Sequence, residues 1–217
     1  MKNTIKYLIL LIIYLVCGVN LQAQNYTFRN VVMSDGLSGL LVNAIYKDSE
    51  GFVWLGTDNC LDRFDGVKVR HYEFRGVDSG RKKRVNCITE TADNQLWVGN
   101  GIGLWRLNRA NGQLERIVPE KIDFAVNTLL PDGDILYIGT EKGLFIQKDG
   151  QLLQVLTDRN MLAACNRIMD LCLNEDKSAL WLATVQGLFS YSLKDGKIDS
   201  WHFQENVPEA DYFRCLT

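Results

Sequence analysis

The sequence has few of the residues and motifs on which most enzymes depend. Its 217 residues include two histidines, His71 and His202, which are 131 positions apart and each precede an aromatic residue. A serine-hydrolase elbow, a phosphate-binding P-loop and the H-E-x-x-H motif of zinc proteases are missing. Histidines placed in this way favour a structural role. The sequence therefore assigns no catalytic residue, no metal ligand and no cofactor.

Cysteines in C-x-x-C spacing are also absent. The six cysteines stand at positions 17, 60, 87, 165, 172 and 215. Loss of the N-terminal leader described below would leave five, an odd number that fits neither a zinc site nor a complete disulfide framework. Most of them lie in apolar runs and are expected to be small core residues. A single disulfide between two of them is the alternative, because exported chains meet oxidising conditions.

The chain has no strong excess of charge of either sign. Lysine and arginine number 24 and aspartate and glutamate 26, for a net charge of −2. No basic stripe predicts a nucleic-acid partner, and no acidic block predicts a solvating tail. Long amphipathic helix patterns are nearly absent, and three prolines in the whole chain suit a succession of tight hairpins. The composition is that of a globular protein.

The first 23 residues predict a secretory signal peptide. Lys2 and Lys6 precede an apolar run over residues 7–19, and Ala23 offers a small residue at the expected cleavage point. The alternative is a membrane anchor, but a run of about 13 residues is short against the ~20 needed to span a bilayer. Lipidation at Cys17 is less favoured, because Val16 is bulky where that processing prefers a small residue.

A repeated pattern covers most of the chain. Its aromatic anchors are spaced 43, 40 and 44 residues apart: Trp54, Trp97, Tyr137 and Trp181. A small residue follows each anchor by two positions: Gly56, Gly99, Gly139 and Ala183. A polar residue precedes each anchor by 10 or 11 positions: Asn43, Asn86, Asn127 and Asp170. A fixed period near 43 residues is typical of a repeat architecture, and such scaffolds more often bind than catalyse.

Each repeat contains four short apolar runs separated by turn signals such as Asp65-Gly66 and Asp149-Gly150. Four strands in about 43 residues predict the blade of a β-propeller. We expect an all-β fold with blades of four antiparallel strands at about 40–75, 83–118, 124–157 and 167–204, within a domain spanning 24–217. The anchors are predicted to pack between blades, and the small residues to let the sheets approach closely.

The propeller is expected to be incomplete. The last residues resemble the start of the second repeat, so a fifth blade begins at about residue 212. Residues 26–28 resemble a lone outer strand. We therefore expect a segment of a longer protein with further propeller blades; a free-standing ring of four blades is the alternative.

The first repeat resembles that of the two-component-regulator propeller family. Residues 34–74 match its D-G-L-S opening, the D-x-x-G-F-[VI]-W-[LI]-G-T run and the L-x-R-[FY]-D-G run, with Trp54 and Gly56 in place. Cys60 departs from a glycine of the family pattern. The resemblance extends over about residues 26–217 and weakens in the third and fourth repeats.

The resemblance implies a role in signal transduction. Members form the periplasmic sensor region of Bacteroidetes hybrid two-component sensor histidine kinases, whose usual ligands are oligosaccharides. The implied downstream parts are a membrane span, a kinase, a receiver and a DNA-binding output. The expectation for this segment is therefore a non-enzymatic, exported sensor, attached to the membrane through the full-length protein, with no nucleic-acid contact of its own and a possible homodimer when full length.

Propeller ligands commonly meet the loops between the second and third strands and the connections between blades. In this chain those loops vary while their flanks repeat, which indicates individual roles. The candidate ligand-binding residues are Asp58, Asn59, Arg84, Asn100, Glu141, Lys142 and Gln186. Arg84 ends the basic run 81–84, for which a solvated loop is the alternative. A propeller enzyme of the lyase or lactonase type and a protein-interaction scaffold remain alternative functions.

Overall fold

The computed structural model describes residues 5–7, 28, 30–77, 83–117, 120, 122–156 and 167–201. The chain divides into two compact units, Met1–Val31 and Val32–Thr217, and the fold described below is that of the second. Apart from residues 5–7 and 28, the predicted signal peptide and lone outer strand lie outside the described residues. So do His202 and the predicted fifth blade. Among the described residues, no helix has the length and apolar character to span a membrane.

The described part of the second unit consists of one short 3-10 helix, Met33–Asp35, and sixteen strands. Blade 1 comprises β1 (Val42–Lys47), β2 (Val53–Thr57), β3 (Leu61–Phe64) and β4 (Val69–Tyr72). Blade 2 comprises β5 (Val85–Glu90), β6 (Leu96–Asn100), β7 (Gly103–Asn108) and β8 (Gln113–Ile117). Blade 3 comprises β9 (Val126–Asp132), β10 (Ile135–Thr140), β11 (Gly143–Lys148) and β12 (Gln151–Gln154). Blade 4 comprises β13 (Ile168–Leu173), β14 (Ala179–Thr184), β15 (Gly187–Ser192) and β16 (Ile198–Trp201).

Each blade is a separate antiparallel sheet in which the strands pair in chain order. The predicted turn residues lie between the third and fourth strands. Gly66 has a φ of 96°, and Asp149 and Gly150 have φ values of 49° and 73°. Left-handed backbone at these positions reverses the chain within a few residues, which glycine allows without a steric cost. The predicted all-β fold with four-stranded antiparallel blades is confirmed.

Strand register corrects one part of the repeat alignment. The first strand of every blade has an irregularity in its pairing with the second, and the residue skipped is Asn43, Asn86 or Asn127 in blades 1 to 3. In blade 4 the skipped residue is Met169, while Asp170 pairs with Ala183. Asp170 was therefore wrongly aligned with the asparagines. Six residues separate the last paired residues of β13 and β14, Leu173 and Leu180, against five in blades 1 and 2 and two in blade 3. A residue at the same distance from its anchor therefore occupies a different position in the sheet of blade 4.

Three of the four anchors pack between blades, as predicted. Trp54 lies in an apolar cluster shared by blades 1 and 2, and Tyr137 in one shared by blades 3 and 4. Trp97 belongs to the cluster between blades 2 and 3. These three anchors are buried, whereas Trp181 in the last described blade is half-buried beside Trp201. The sheets are therefore held together mainly by aromatic and aliphatic side chains on their facing surfaces.

Glycine lets adjacent sheets approach at the predicted positions. A Cβ atom placed on Gly56 would lie 2.5 Å from Cγ1 of Val85, the first residue of the next blade. Gly99 faces Val126 in the same way at 2.6 Å, and Gly139 faces Ile168 at 2.8 Å. Carbon atoms pack at about 3.5–4.0 Å, so no larger residue fits these three places without movement of a neighbouring sheet.

Candidate functional site

The turns between the second and third strands form one side of the blades, together with the connections between blades. In an antiparallel four-stranded sheet these two kinds of loop lie at the same ends of the strands. Backbone hydrogen bonds join them in three blades: Gly101 N donates to Arg84 O (3.1 Å), Glu141 N to Ala125 O (3.1 Å) and Val185 N to Arg167 O (3.4 Å). We call the turns 57–60, 100–103, 140–143 and 184–187 the loop face.

A buried threonine shapes three of these turns. Oγ1 of Thr57, Thr140 and Thr184 donates to the carbonyl three residues later, at 2.8–2.9 Å. The same oxygen accepts the N–H two residues later, at 3.0–3.2 Å. Each turn is thus fixed by its own hydroxyl group. The residues between are free to differ without changing the backbone.

Most of the predicted binding residues are exposed on this face. Asn59, Glu141, Lys142 and Gln186 are exposed, and Asp58 is half-buried. The Asn59 amide nitrogen donates to Ser38 O at 2.9 Å. Arg84 is exposed at the start of blade 2, and its Nε donates to Oδ1 of Asn86 at 3.1 Å. Arg81 and Lys82 of the basic run lie outside the described residues. The turns of blades 1, 3 and 4 therefore offer two carboxylates, one ammonium group and two amide side chains.

The structure departs from the expectation at Asn100, whose side chain is completely buried. Its Oδ1 accepts the Ile102 N–H at 3.0 Å and the indole N–H of Trp105 at 3.2 Å. Asn100 thus takes the place that threonine holds in the other turns, and we leave it out of the proposed binding surface. The sequence contained the signal, since Asn100 follows its anchor by three positions, as Thr57, Thr140 and Thr184 follow theirs.

A second polar group, which the sequence analysis missed, lies where β3 pairs with β4. Asp62 is completely buried; its Oδ1 lies 2.7 Å from His71 Nδ1 and 3.2 Å from Cys60 Sγ. Burial raises the pKa of the Cys60 thiol to about 12, so the free thiol is protonated and a poor nucleophile at neutral pH. The group could hold a metal ion, but it is not arranged as a nucleophile–base pair.

Two clefts lie away from the loop face. One, of about 260 Å³, lies between blades 2 and 3 and is lined by Trp97, Arg106 and Gln147 among others. The other, of about 360 Å³, lies beside β4 and the β7–β8 turn and is lined by Arg70 and Asn111 among others. Neither contains a predicted binding residue.

Comparison with known proteins agrees with the family resemblance. The model of the two-component regulator propeller matches residues 36–59. A histidine kinase P4 from Formosa agariphila is 32% identical over 79 residues, which are 36% of this chain and 6% of that protein. The chain thus spans a small part of this curated relative.

Solved structures show the same fold. The extracellular domain of a hybrid two-component system from B. thetaiotaomicron is 26% identical, with a TM-score of 0.62 over 77% of this chain and 23% of that one. A second such domain from that organism is 21% identical, with a TM-score of 0.69 over 84% of this chain and 27% of that one. An inactive virginiamycin B lyase from Staphylococcus aureus, solved with quinupristin, has a TM-score of 0.64 at 15% identity, over 89% of this chain and 64% of the lyase. At this identity the similarity shows the fold alone.

The propeller resemblance predicted from the first repeat is thus confirmed: residues 36–59 match the two-component regulator propeller model, in a chain similar to the extracellular domains of hybrid two-component systems.

Proposed function

We propose that these blades are part of the periplasmic sensor region of a hybrid two-component regulator and that its ligand is an oligosaccharide. The proposal rests on the propeller fold together with the polar side chains of the loop face. The chain resembles extracellular domains of such systems, and its fixed turns present different polar side chains on a common side. In this proposal the kinase, receiver and output domains, the membrane span and further blades belong to the full-length protein, which forms a homodimer.

The loop face suits a sugar ligand chemically. Saccharide hydroxyl groups both donate and accept hydrogen bonds, and binding sites for them need both kinds of partner at fixed places. Glu141 supplies acceptors, Lys142 donors, and Asn59 and Gln186 supply both. The threonine-fixed backbone means that little conformational freedom is lost when a ligand binds, which favours affinity.

Sensing fits this face better than catalysis. The four turns contain the half-buried acid Asp58 and the exposed acid Glu141. Among the described residues of these turns, no histidine is present and the one cysteine, Cys60, is buried. Similarity to virginiamycin B lyase at 15% identity concerns the fold and supplies no catalytic residues. The segment is therefore proposed as a binding module without enzymatic activity of its own.

Calorimetry with the intact ectodomain of the full-length protein tests this proposal. Neutral and acidic oligosaccharides are titrated as separate classes, and one class is expected to bind. Replacing Glu141, Lys142 or Gln186 by alanine should weaken that binding about tenfold or more, because each removes hydrogen bonds to the ligand. Glu175→Ala, an exposed acid in the β13–β14 turn at the opposite ends of the strands, is the matched control and should bind normally.

Two results would contradict the proposal. If every glycan class fails to bind and a protein is captured instead, the ectodomain is an interaction scaffold. If a bound sugar or another substrate is converted to product, and the conversion is lost in the loop-face variants, the segment is an enzyme.

A further inference from the structure

Blade 1 carries a buried carboxylate where the other blades carry an aromatic ring. The third strand starts with glycine, leucine and an aromatic residue in blades 2 to 4, and Trp105, Phe145 and Phe189 are all buried there. In blade 1 the corresponding run is Cys60, Leu61 and Asp62. An ionised carboxylate buried in this way is strongly destabilising unless charged or hydrogen-bonding partners compensate it.

The two oxygens of Asp62 have different partners. Oδ2 accepts hydrogen bonds from both the backbone N–H (2.8 Å) and the hydroxyl (2.7 Å) of Ser38. Oδ1 faces His71 Nδ1 at 2.7 Å and Cys60 Sγ at 3.2 Å. Ser38 therefore orients the carboxylate so that one oxygen points to an imidazole and a thiol. Orientation of a ligating group by such an outer hydrogen bond is a regular feature of metal sites.

Strand pairing holds the three donor groups together. Asp62 and His71 are direct partners across β3 and β4. Cys60 precedes Asp62 by two residues. Because successive side chains along extended backbone alternate between the two faces of a sheet, both point to the same face. The sulfur, the carboxylate oxygen and the imidazole nitrogen all lie within 4.8 Å of one another. The arrangement thus rests on the β3–β4 pairing for Asp62 and His71, and on the hydrogen bond from Thr57 N to Cys60 O (3.1 Å) that closes the first turn for Cys60.

We propose that Cys60, Asp62 and His71 form a zinc site. With metal–ligand distances of about 2.0–2.3 Å, a tetrahedral zinc ion separates its ligand atoms by roughly 3.3–3.6 Å. The three donors reach that spacing through shifts on the order of 1 Å. A thiolate and an imidazole favour zinc over calcium or magnesium, which prefer oxygen ligands. Three protein ligands leave a fourth position for water, as in zinc sites that are open to a further ligand.

The site would couple metal binding to the loop face. Cys60 ends the first turn of that face, directly after Asp58 and Asn59, and its backbone carbonyl accepts the Thr57 hydroxyl at 2.9 Å. Zinc bound between this turn and β4 stabilises the turn, because the ion binds the folded arrangement only. The thiol gives up its proton to solvent on binding, so one proton is released for each ion bound by Cys60.

Zinc titration of the full chain tests the site. The protein is stripped with a chelator, kept reduced with a phosphine, and titrated with Zn²⁺ in competition with a chromophoric chelator. One ion per chain is expected, and Co²⁺ in its place should give the absorption bands of tetrahedral, thiolate-bound cobalt. Cys60→Ala and His71→Ala should each lower zinc affinity by well over tenfold, and Ser38→Ala by about tenfold, as an outer-shell change does. Cys172→Ala removes a different thiol and is the matched control.

The result that overturns the proposal is an unaltered wild-type affinity in His71→Ala, which changes a half-exposed side chain and should fold normally. Failure of the wild-type chain to bind Zn²⁺ at a concentration on the order of 100 μM, or cobalt spectra without a thiolate band, would also exclude the site. The group would then be a hydrogen-bonded network that neutralises Asp62.

Discussion

A methyl group added at Gly99 should force blades 2 and 3 apart. Its Cβ would stand 2.5 Å from Cys87 Sγ and 2.6 Å from Val126 Cγ1, about 1 Å closer than ordinary packing permits. Val126 is completely buried, and its β-branched side chain has little rotational freedom. Gly99 has no positive φ, so the effect of Gly99→Ala is steric and does not come from backbone strain.

Overpacking of this kind costs about 1–3 kcal/mol of unfolding free energy. For a chain of this size the melting temperature falls by about 2–4 °C per kcal/mol, which predicts a decrease of about 2–12 °C. Urea unfolding followed by circular dichroism measures the free energy, and a thermal melt measures the temperature. The variant Val126→Ala is expected to cost about 1–3 kcal/mol through the cavity that it leaves.

The double variant decides the mechanism. Val126→Ala removes one of the two nearest atoms that the new Cβ would meet and leaves Cys87 Sγ in place, so the two changes together should cost less than their sum by about 1 kcal/mol. Ala183→Gly, at the equivalent position of blade 4, is the matched control and should cost only about 0.5–1 kcal/mol. A Gly99→Ala chain within about 0.5 kcal/mol of the wild type, or strict additivity in the double variant, would refute the packing argument.

Two further predictions concern charges. Arg109 lies 2.9 Å from Glu50 and 2.8 Å from Glu90, whose side chain is 5% exposed. Arg109→Ala should lower the unfolding free energy by about 1–2 kcal/mol. Arg106→Ala, which removes the exposed ion pair with Glu115, should lower it by about 0–1 kcal/mol. Equal costs in urea unfolding would contradict this difference. Backbone N–H groups of Lys68 and Val67 lower the pKa of Asp65, so its contribution to stability is present above the unfolded pKa near 4 and is lost as the pH falls through the lower folded pKa. The urea concentration at the unfolding midpoint should therefore decrease as the pH is lowered below about 4. The decrease should be less steep in Asp65→Asn, and an identical dependence on pH in that variant would contradict the assignment.

The blades could be predicted because the same sequence pattern recurs in each repeat. The aromatic anchor, the small residue two positions later and the turns that end in glycine recur at nearly fixed distances, and each follows from a local requirement for packing or left-handed backbone. The same logic predicted the close contact of Gly56 with the next blade. Four copies make such a pattern far more certain than one copy could.

Register and cross-strand partners could not be predicted in this way. One more residue lies between the paired ends of β13 and β14 than in blades 1 and 2, which places Met169, and not Asp170, with the skipped asparagines of the other blades. His71 lies opposite Asp62 because the β3–β4 turn sets the pairing of these two strands. The nine-residue separation of the two residues in the sequence does not by itself predict that pairing. Departures from the repeat were the missed signal. Cys60, Asp62 and Asn100 each differ from their counterparts in the other copies, and all three have buried side chains with specific polar partners.

Hydrogen exchange with the intact ectodomain tests the proposed sensing role most directly. The oligosaccharide identified by calorimetry is added at saturation, and amide protection is compared with that of the free protein. Protection should increase in the turns 57–60, 140–143 and 184–187 and stay unchanged in the turns 48–52 and 91–95, which lie at the opposite ends of the strands. Protection confined to those opposite turns, or none in these blades with the sugar bound, would contradict a ligand-binding loop face.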